Sequence, residues 1–307
     1  MQVAPKDYIH PEDLAALENL KQIPLFSSCL KSFMKIGIER VICGLSMANK
    51  IRLGPDQLPE IYRILPPTCQ ALGIDEPEFY LEMDLSPNAY TQGDTRIFIN
   101  VTSGLIEMLE EDELRAVVAH ECGHIACRHV LYHTMAQMML EYGVQIFGPL
   151  AALSMPVQLG LLYWVRRSEL SADRAAAVVM KGSQSVVETM IRLAGGSKSI
   201  TGKVNLDLYL KQAEAYDKLQ ESQWDKFLQG VAVVNMDHPF LCVRAREITR
   251  WCQTEQFQHI VQALEKQGWP KCPTCGAAVR TNWKFCNNCG QTTNPSTMPA
   301  VKEEALS

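Results

Sequence analysis

The sequence predicts an α+β fold that is mainly helical, with a small sheet and a small module at the carboxyl end. Several long stretches carry apolar residues at the helical period of about 3.6. Two segments in the first half are rich in aromatic and β-branched residues, which is typical of strands. Two pairs of closely spaced cysteines follow residue 270. The chain has 307 residues, 47% of them hydrophobic, enough to bury the core of one large domain beside that module.

The first 75 residues are predicted to form an N-terminal helical region. Pro11, Glu12 and Asp13 follow His10, and leucines then recur at helical spacing. A proline in the first turn and acids near the positive end of the helix dipole indicate a helix start. A second helical stretch is expected from Leu58 to Leu72, interrupted by its pair of prolines.

Two strands are predicted next. Glu78 to Asp84 and Thr95 to Thr102 have the aromatic and β-branched composition of strands. The loop that joins them is expected to begin near Ser86-Pro87-Asn88. These segments predict the small sheet.

The rest of the large domain is predicted to be helical. The strongest helix runs from Glu111 to Met139 and has a cluster of acids at its start. Ser168 is expected to cap a helix that continues to Met180. Further helices are expected over residues 207–227 and 239–264.

The segment from Gly143 to Val165 has no charged residue and is long enough to cross a bilayer. It also contains Pro149 and Pro156, which favour two short apolar helices with a break between them. We therefore expect a buried hairpin or one in peripheral contact with a membrane, rather than a transmembrane helix.

Composition and charge narrow the class of protein. Lys and Arg number 29 against 34 Asp and Glu, and a net charge of −5 argues against a nucleic-acid-binding protein. The segment Met1–Lys21 lacks the basic and apolar stretches of a signal peptide, which predicts a cytoplasmic location. Seven of the eleven cysteines are scattered, as expected for small core residues in a reducing compartment.

The pentapeptide from His120 to His124 (HECGH) lies inside the helix predicted from Glu111. Histidines four residues apart project from one face of a helix, so both rings can bind one metal ion. Zinc with three protein ligands keeps a fourth position for water and lowers the pKa of that water to about 7. Glu121 can accept the water's proton as a general base without binding the metal.

A third ligand is expected from the segment after residue 167. No histidine stands six residues after His124, so the spacing of a three-histidine site is absent. Glu169 and Asp173 share one face of a predicted helix. Glu169 can bind the zinc while Asp173 accepts a hydrogen bond from the outer side of a ligand histidine. An acid pair usually marks a solvated helix face, but the residues around this pair are too apolar for that.

Several motifs in a common order make the chain resemble a known family. They are Asn88-Ala89-Tyr90, Thr102-Ser103-Gly104-Leu105, EDELRAVVAHECGHIACRH, SELSADRAA, His238-Pro239 and Arg244. The chain is similar to the gluzincin metallopeptidases that include the bacterial heat-shock protease HtpX and the CAAX prenyl endopeptidases. The resemblance implies a mainly helical gluzincin peptidase domain whose small sheet lines the cleft with its edge strand.

The resemblance also implies a substrate site. The strand from Ile97 to Val101 is expected to be the edge strand that pairs with an extended peptide. The expected substrate-binding residues are Asn88, Ala89, Ile97 and Ile99.

Three further residues receive expected roles from the resemblance. His238 is expected across the cleft, where it would donate a hydrogen bond to the oxyanion, although a capping histidine before Pro239 is the alternative. Arg244 is expected to orient His238 or Asp173. His129 is expected to be structural or to support a metal ligand.

The carboxyl-terminal module carries two C-x-x-C-G knuckles. Its four cysteines are Cys272, Cys275, Cys286 and Cys289. Four thiolates complete a tetrahedral shell, so this pattern predicts a zinc ribbon with a structural ion, and a redox dithiol is the competing interpretation. Three basic residues and no acids give weak affinity for nucleic acid. We expect the ribbon to dock to a partner protein or to the chain's own peptidase domain.

These predictions divide the chain into consecutive parts. They are an N-terminal helical region (1–75), a zinc metallopeptidase domain (76–252), a helix end and linker (253–268), the zinc ribbon (269–291) and a disordered tail (292–307). One catalytic and one structural zinc ion are expected.

The predicted function is a zinc-dependent endopeptidase that hydrolyses protein or peptide substrates. We expect it to act in protein quality control, in the cytoplasm or at the inner face of a membrane. The first 110 residues lack the long apolar helices of integral-membrane members, which argues against a prenylated or membrane-embedded substrate. The alternative is an adaptor with a latent peptidase fold whose ribbon recruits a partner.

Overall fold

A computed structural model describes residues 3–35, 37–147, 155–219, 240–266 and 272–276, together with residues 289 and 291. The helices of the described part are α1 (Pro5–Tyr8), α2 (Pro11–Gln22), α3 (Phe26–Lys35), α4 (Ile38–Asn49), α5 (Pro59–Tyr62), α6 (Leu65–Leu72), α7 (Ser103–Met108), α8 (Glu111–Ala126), α9 (Val130–Phe147), α10 (Met155–Met180), α11 (Gln184–Gly195), α12 (Lys198–Thr201), α13 (Leu206–Lys218), α14 (Leu241–Cys252) and α15 (Glu255–Lys266). The strands are β1 (Ile51–Arg52), β2 (Glu78–Glu82), β3 (Ala89–Gly93) and β4 (Ile97–Thr102). This mainly helical structure with one small sheet confirms the predicted α+β class.

The four strands form one sheet in the order β1-β2-β4-β3. β2 and β4, the two predicted strands, pair in parallel, with Phe79 opposite Ile99. β3 pairs antiparallel to β4, with Thr91 opposite Ile99. β4 is therefore an inner strand, and the prediction that Ile97 to Val101 form the edge is wrong.

The edge strands are β1 and β3, and β3, the one beside β4, lies in the segment predicted to be a loop. Its sequence, AYTQG, is short and mixes polar with apolar residues, so it lacks the composition that marks a strand. Segment 89–93 becomes a strand by pairing with β4. The backbone hydrogen bonds of this pairing stabilise the extended conformation, although the local sequence does not favour it.

The helix predicted from Glu111 to Met139 is two helices. α8 ends at Ala126, and Arg128 adopts a left-handed conformation with φ of 62°. The N–H of His129 then donates to the carbonyl of His124 at 2.8 Å, and the N–H of Arg128 donates to that of Ile125 at 3.0 Å. This is a Schellman helix end with arginine where glycine is usual, so the sequence carries no sign of it.

α10 begins far before the predicted cap. Ser168 is a buried residue in the middle of this helix, and its hydroxyl donates to the carbonyl of Val165 at 2.7 Å instead of capping. The apolar segment predicted to form two short helices contributes to the end of α9 and the start of α10, and residues 148–154 lie outside the described part. No described helix is long and apolar enough to cross a membrane.

Three other predicted helices differ at their boundaries. Pro66 and Pro67 do not interrupt a helix but lie in the first turn of α6, where a missing N–H costs nothing. α13 ends at Lys218, and the remainder of the predicted helix falls outside the described residues. The helix predicted over 239–264 is split into α14 and α15 by Thr254, whose hydroxyl accepts a hydrogen bond from the N–H of Phe257 at 3.3 Å.

Two hydrophobic cores meet along α10. The first lies between the sheet and α6, α8, α11, α14 and α15, and contains Ala175–Val178 of α10. The second is built from α2, α3, α9 and the first half of α10, including Trp164. The middle of α10, around Glu169, therefore lies at the junction of both cores.

Candidate active site

Two helices bring the three expected metal ligands together. His120 and His124 project from α8, Glu169 projects from α10, and all three side chains are buried. The Nε2 atom of His120 lies 3.4 Å from Oε2 of Glu169, and that of His124 lies 3.2 Å from Oε1. Zinc bonds of 2.0–2.2 Å in a tetrahedron separate neighbouring ligand atoms by about 3.3 Å. The donor set therefore fits zinc.

Asp173 determines which nitrogen of His120 faces the other ligands. Its Oδ1 lies 3.0 Å from Nδ1 of His120, the contact that the helical spacing predicted. An ionised carboxylate only accepts hydrogen bonds, so Nδ1 carries the hydrogen and Nε2 keeps its lone pair for a metal.

Arg244 of α14 binds both acids of α10. Its Nε and Nη2 donate to the two oxygens of Asp173 at 2.8 and 2.6 Å, and its Nη1 lies 2.8 Å from Oε2 of Glu169. Burial raises the pKa of Asp173, but the charge and hydrogen bonds of Arg244 outweigh burial and keep this pKa below its ordinary value. Of the two contacts expected for Arg244, that with Asp173 is present. His238 lies outside the described residues.

Glu121 is buried beside the ligands and is held by a residue that sequence reasoning missed. The hydroxyl of Thr91, on β3, donates to Oε2 of Glu121 at 2.6 Å. Because β3 was not recognised as a strand, nothing in the sequence placed Thr91 near the metal helix.

The predicted substrate-binding residues separate into two groups. Asn88 and Ala89 line a small pocket that also contains His120 and Glu121. Ile99 is fully buried in the hydrophobic core, and Ile97 pairs with Gly93 on the inner strand β4. The structure therefore places Asn88 and Ala89 at the site but not Ile97 or Ile99.

The pocket beside Glu121 is mainly apolar. Its volume is about 40 Å³, and α11 provides much of its wall through Val186, Met190 and Leu193. The apolar residues of α11 look like those of any amphipathic helix, so its sequence does not mark it as part of the site.

His129 contacts the second ligand histidine from behind. Its Nδ1 lies 3.0 Å from Nδ1 of His124, and its Nε2 lies 3.0 Å from Oδ2 of Asp13. Burial raises the pKa of Asp13, but hydrogen bonds from His129, Ser171 and Trp164 outweigh it, so this pKa is lowered. Asp13 is a second residue that the sequence analysis treated only as part of a helix start.

The described part of the ribbon brings three cysteines together. The sulfurs of Cys272, Cys275 and Cys289 lie within 4.8 Å of one another, and those of Cys272 and Cys289 are 3.6 Å apart. Zn–S bonds of 2.3 Å in a tetrahedron separate the sulfurs by about 3.8 Å, so these three fit one zinc ion. Gly276 has φ of 72° and donates its N–H to the carbonyl of Cys272 at 2.9 Å, which closes the first knuckle. Cys286 lies outside the described residues.

Comparison with known proteins agrees with this architecture. Residues 55–252 match the model of peptidase family M48, and residues 271–292 match that of a zinc-ribbon domain. Plastoglobule-localized metallopeptidase 48, chloroplastic, of Arabidopsis thaliana is 31% identical over 85% of this chain and 76% of its own length. Two proteins named protease HtpX homolog are also similar. The one from Ralstonia pickettii is 23% identical over 69% of this chain and 81% of its own length. The one from Thermococcus sibiricus is 38% identical over 28% of this chain and 30% of its own length.

The family match spans more than half of the chain and contains the buried histidines, Glu169 and Arg244. The relative from Arabidopsis thaliana is 31% identical to this chain, and 76% of its own length is covered. The chain therefore belongs to peptidase family M48 and is a metalloprotease that carries a C-terminal zinc-ribbon domain.

Proposed function

We propose that this metalloprotease is a zinc-dependent endopeptidase in which His120, His124 and Glu169 hold the catalytic ion. The observation that supports this most directly is the set of three buried donor atoms from two helices at the spacing of a zinc shell. When bound, zinc supplies a Lewis acid that polarises the scissile carbonyl and lowers the pKa of water.

The chain's own residues would then move the proton. Glu121 is adjacent to the ligands and Thr91 holds one of its oxygens, so its carboxylate is oriented before substrate arrives. We propose that Glu121 accepts a proton from the attacking water and delivers it to the leaving amine. The buried surroundings strengthen these interactions, because water does not screen them.

The substrate would be an extended segment of a protein or peptide. β3 is the edge strand on the side of the sheet that contacts Glu121, so we propose that substrate adds to β3 as a further strand. Asn88 and Ala89, at the start of this strand, would contact the substrate next to the scissile bond. A role in protein quality control, in the cytoplasm or at the inner face of a membrane, belongs to the same proposal.

The ribbon would hold a second, structural zinc ion through Cys272, Cys275, Cys286 and Cys289. The three described sulfurs support this, since they lie at zinc-shell distances. A closed shell of four sulfurs leaves no position for water, so this ion would take no part in hydrolysis. We propose that the ribbon docks to a partner protein or to the peptidase domain.

The experiment that tests the catalytic proposal combines metal content with cleavage of an unfolded protein such as casein. We expect two zinc ions per wild-type chain and one in His120→Ala/His124→Ala. Glu121→Gln should keep both ions and lose activity by a factor of about 10²–10⁴, because only the general base is removed.

Asp112→Asn is the matched control, since it neutralises an exposed carboxylate on the same helix. It should retain wild-type activity. If Glu121→Gln were as active as Asp112→Asn, the proposed role of Glu121 would be wrong. One zinc ion in both wild type and the double-histidine variant, with no cleavage, would favour the adaptor.

A further inference from the structure

The two ligand histidines are supported in different ways. Nδ1 of His120 faces a carboxylate directly, whereas Nδ1 of His124 faces the ring of His129 at 3.0 Å. On its other side, Nε2 of His129 lies 3.0 Å from Oδ2 of Asp13. His124, His129 and Asp13 are all at least 97% buried, so water does not compete for these contacts.

The direction of each hydrogen bond follows from metal binding through Nε2 of His124. A neutral imidazole has one N–H donor and one acceptor nitrogen. If Nε2 of His124 binds the metal, its Nδ1 carries the hydrogen and donates to Nδ1 of His129. Nε2 of His129, which faces the Asp13 carboxylate at 3.0 Å, then carries the hydrogen, because an ionised carboxylate has no proton to offer a bare nitrogen. The carboxylate thus selects the tautomer of His129, and His129 selects that of His124.

Asp13 is held rigidly against the helix that carries Glu169. Nε1 of Trp164 donates to its Oδ1 at 2.8 Å, and the hydroxyl of Ser171 donates to its Oδ2 at 2.6 Å. Both partners belong to α10, and Ser171 is two residues from Glu169. The position of Asp13 is therefore coupled to the third ligand as well as to the second.

We propose that Asp13 is a positioning residue of the metal centre, which acts through His129 to orient the ring of His124. The N-terminal helix α2 is then part of the structure that supports the active site. Asp13 lies before residue 55, where the match to the family model begins, so the family motifs do not include it. The inference rests on the proposed function, since it requires a metal at His120, His124 and Glu169.

A purely structural role for Asp13 makes a different prediction. Two hydrogen bonds from α10 and the contact with His129 would anchor α2 and stabilise the fold without affecting the metal. Loss of Asp13 would then lower the midpoint of thermal unfolding and leave the affinity for zinc unchanged. Zinc affinity, measured by chelator competition at one pH, therefore separates the two roles.

The test uses the full chain. The zinc affinity of the ribbon alone is measured in His120→Ala/His124→Ala, which lacks two of the proposed catalytic ligands. We expect Asp13→Asn to bind the catalytic zinc about 10- to 100-fold more weakly, the usual effect of losing a group that orients a ligand. Glu12→Gln is the matched control. Glu12 is the adjacent carboxylate on α2, paired with Arg167 at the surface, and its loss should not change the affinity.

His129→Phe tests whether Asp13 acts through His129. It should weaken zinc binding at least as much as Asp13→Asn. The double variant should be no weaker than His129→Phe alone, because the two residues form one chain of contacts. If the losses multiplied instead, Asp13 would act by another route and the proposal would be overturned.

Equal zinc affinities in Asp13→Asn and Glu12→Gln would also overturn it, even with a lowered unfolding midpoint. If Asp13→Asn does not fold, Ser171→Ala replaces it, since it removes a bond to the same carboxylate oxygen. Ser171→Ala should bind the catalytic zinc several-fold more weakly. Unchanged zinc binding in this variant would overturn the proposed role of Asp13. A wild-type chain that binds only the ribbon zinc would overturn the proposed catalytic zinc site. This result is distinguishable from failure of the Asp13 proposal, in which wild type binds both ions and the variants bind them equally well.

Discussion

At the scale of single residues, each reactive side chain of the candidate site has a second residue that orients it. Thr91 does this for Glu121, Asp173 for His120, His129 for His124 and Arg244 for Glu169. Such contacts restrict the rotamers of the reactive groups before substrate binds, which lowers the cost of reaching the productive geometry.

The hydroxyl of Thr91 offers a direct test of this orientation. Thr91→Val has nearly the same shape but cannot donate to Glu121. We expect kcat to fall about tenfold, because a hydrogen bond to a charged group contributes about 1.5 kcal/mol and each 1.4 kcal/mol is tenfold in rate. Steady-state kinetics on a peptide substrate measure this effect.

Thr91→Ser keeps the hydroxyl and is the control for the change. Its kcat should stay close to that of wild type, and zinc content should be unchanged in both variants. A Thr91→Val enzyme with wild-type kcat would show that Glu121 does not depend on this bond.

At the scale of elements, the close approach of α8 and α10 places the ligands. Gly123 is the contact point: a Cβ atom there would lie 2.7 Å from Cβ of Ala175 and 3.0 Å from Cα of Ala172. Real side chains do not approach so closely, so only glycine permits this helix spacing. The small residue between the two histidines therefore lets Glu169 reach them.

Gly123→Ala should push the two helices apart. We expect a loss of about 1–3 kcal/mol in the free energy of unfolding from overpacking, together with weaker zinc binding because Glu169 moves away from His120 and His124. Urea denaturation and chelator competition measure the two effects.

Gly44→Ala is the matched control, because a Cβ at Gly44 of α4 meets nothing within 4 Å. Alanine there should stabilise the helix by about 0.5–1 kcal/mol and leave zinc affinity unchanged. A Gly123→Ala protein with wild-type zinc affinity would show that the spacing of α8 and α10 does not depend on Gly123.

The packing of α11 beside α8 sets the size of the apolar pocket next to Glu121. Met190 lines this pocket and is itself buried. Met190→Ala should enlarge the pocket. We therefore expect it to favour a peptide with leucine next to the scissile bond over one with alanine, which raises the ratio of the two kcat/KM values. A change of about tenfold is expected, the range for differences of a few methylene groups.

Comparing two peptides on one enzyme preparation cancels any loss of folded protein in Met190→Ala. Met34→Ala, at an exposed position of α3, is the control and should leave the ratio unchanged. An unchanged ratio in Met190→Ala would mean that this pocket does not contact the substrate.

At the scale of the whole molecule, the N-terminal helices are part of the peptidase structure. α2 packs in the second core with α9 and α10, and Tyr8 of α1 is buried in the first core beside the sheet. The backbone N–H of His10 donates to the hydroxyl of Ser171 at 2.9 Å, so the start of α2 is joined to the middle of α10. Conditions that weaken this junction should weaken the entire fold.

Acid should act on this junction through His10. Its Nδ1 accepts the N–H of Glu12 at 3.1 Å, which requires an unprotonated nitrogen. Burial, with Arg174 and Arg167 nearby, lowers its pKa to about 4, although Asp13 opposes the shift. In the unfolded chain the pKa is about 6.5. Between these values only the unfolded chain takes up the proton, so stability falls as pH falls.

His10→Asn should remove this part of the acid sensitivity, since asparagine also caps helices but does not titrate. Urea denaturation of metal-free protein at about pH 7 and about pH 4.5 would measure it. Between these two pH values the free energy of unfolding should fall less in the variant than in wild type, by on the order of 1 kcal/mol. The difference is expected to be this small because solvent screens the half-buried ring of His10. An equal loss in both proteins would assign the acid sensitivity to other groups.

The strongest local patterns in the sequence predicted the chemistry of the site. His120 and His124 are four residues apart on a helix, and so are Glu169 and Asp173, so each pair shares a face whatever the rest of the chain does. The spacing of the cysteines predicted the ribbon in the same way. Such predictions need no knowledge of the rest of the fold, because their geometry depends on a single helix or knuckle.

The features that sequence analysis missed depend on contacts between distant segments. β3 is a strand because β4 lies beside it, and Thr91 reaches Glu121 only through that pairing. The break after α8 depends on a left-handed Arg128, a conformation that arginine rarely adopts. Asp13 has the sequence context of an ordinary acid in a first helical turn, and only its hydrogen bonds from Trp164 and Ser171 of α10 distinguish it.

By itself, the sequence determined the mainly helical α+β class, and it predicted two sets of metal ligands and a general base. Only the tertiary structure decided which strands form the edges of the sheet, which residues contact the predicted ligands, and how the N-terminal helix joins the candidate site. The physical reason is range. Residues up to four positions apart are related by the geometry of one helix, whereas partners 158 positions apart, such as Asp13 and Ser171, meet only through packing of the entire chain.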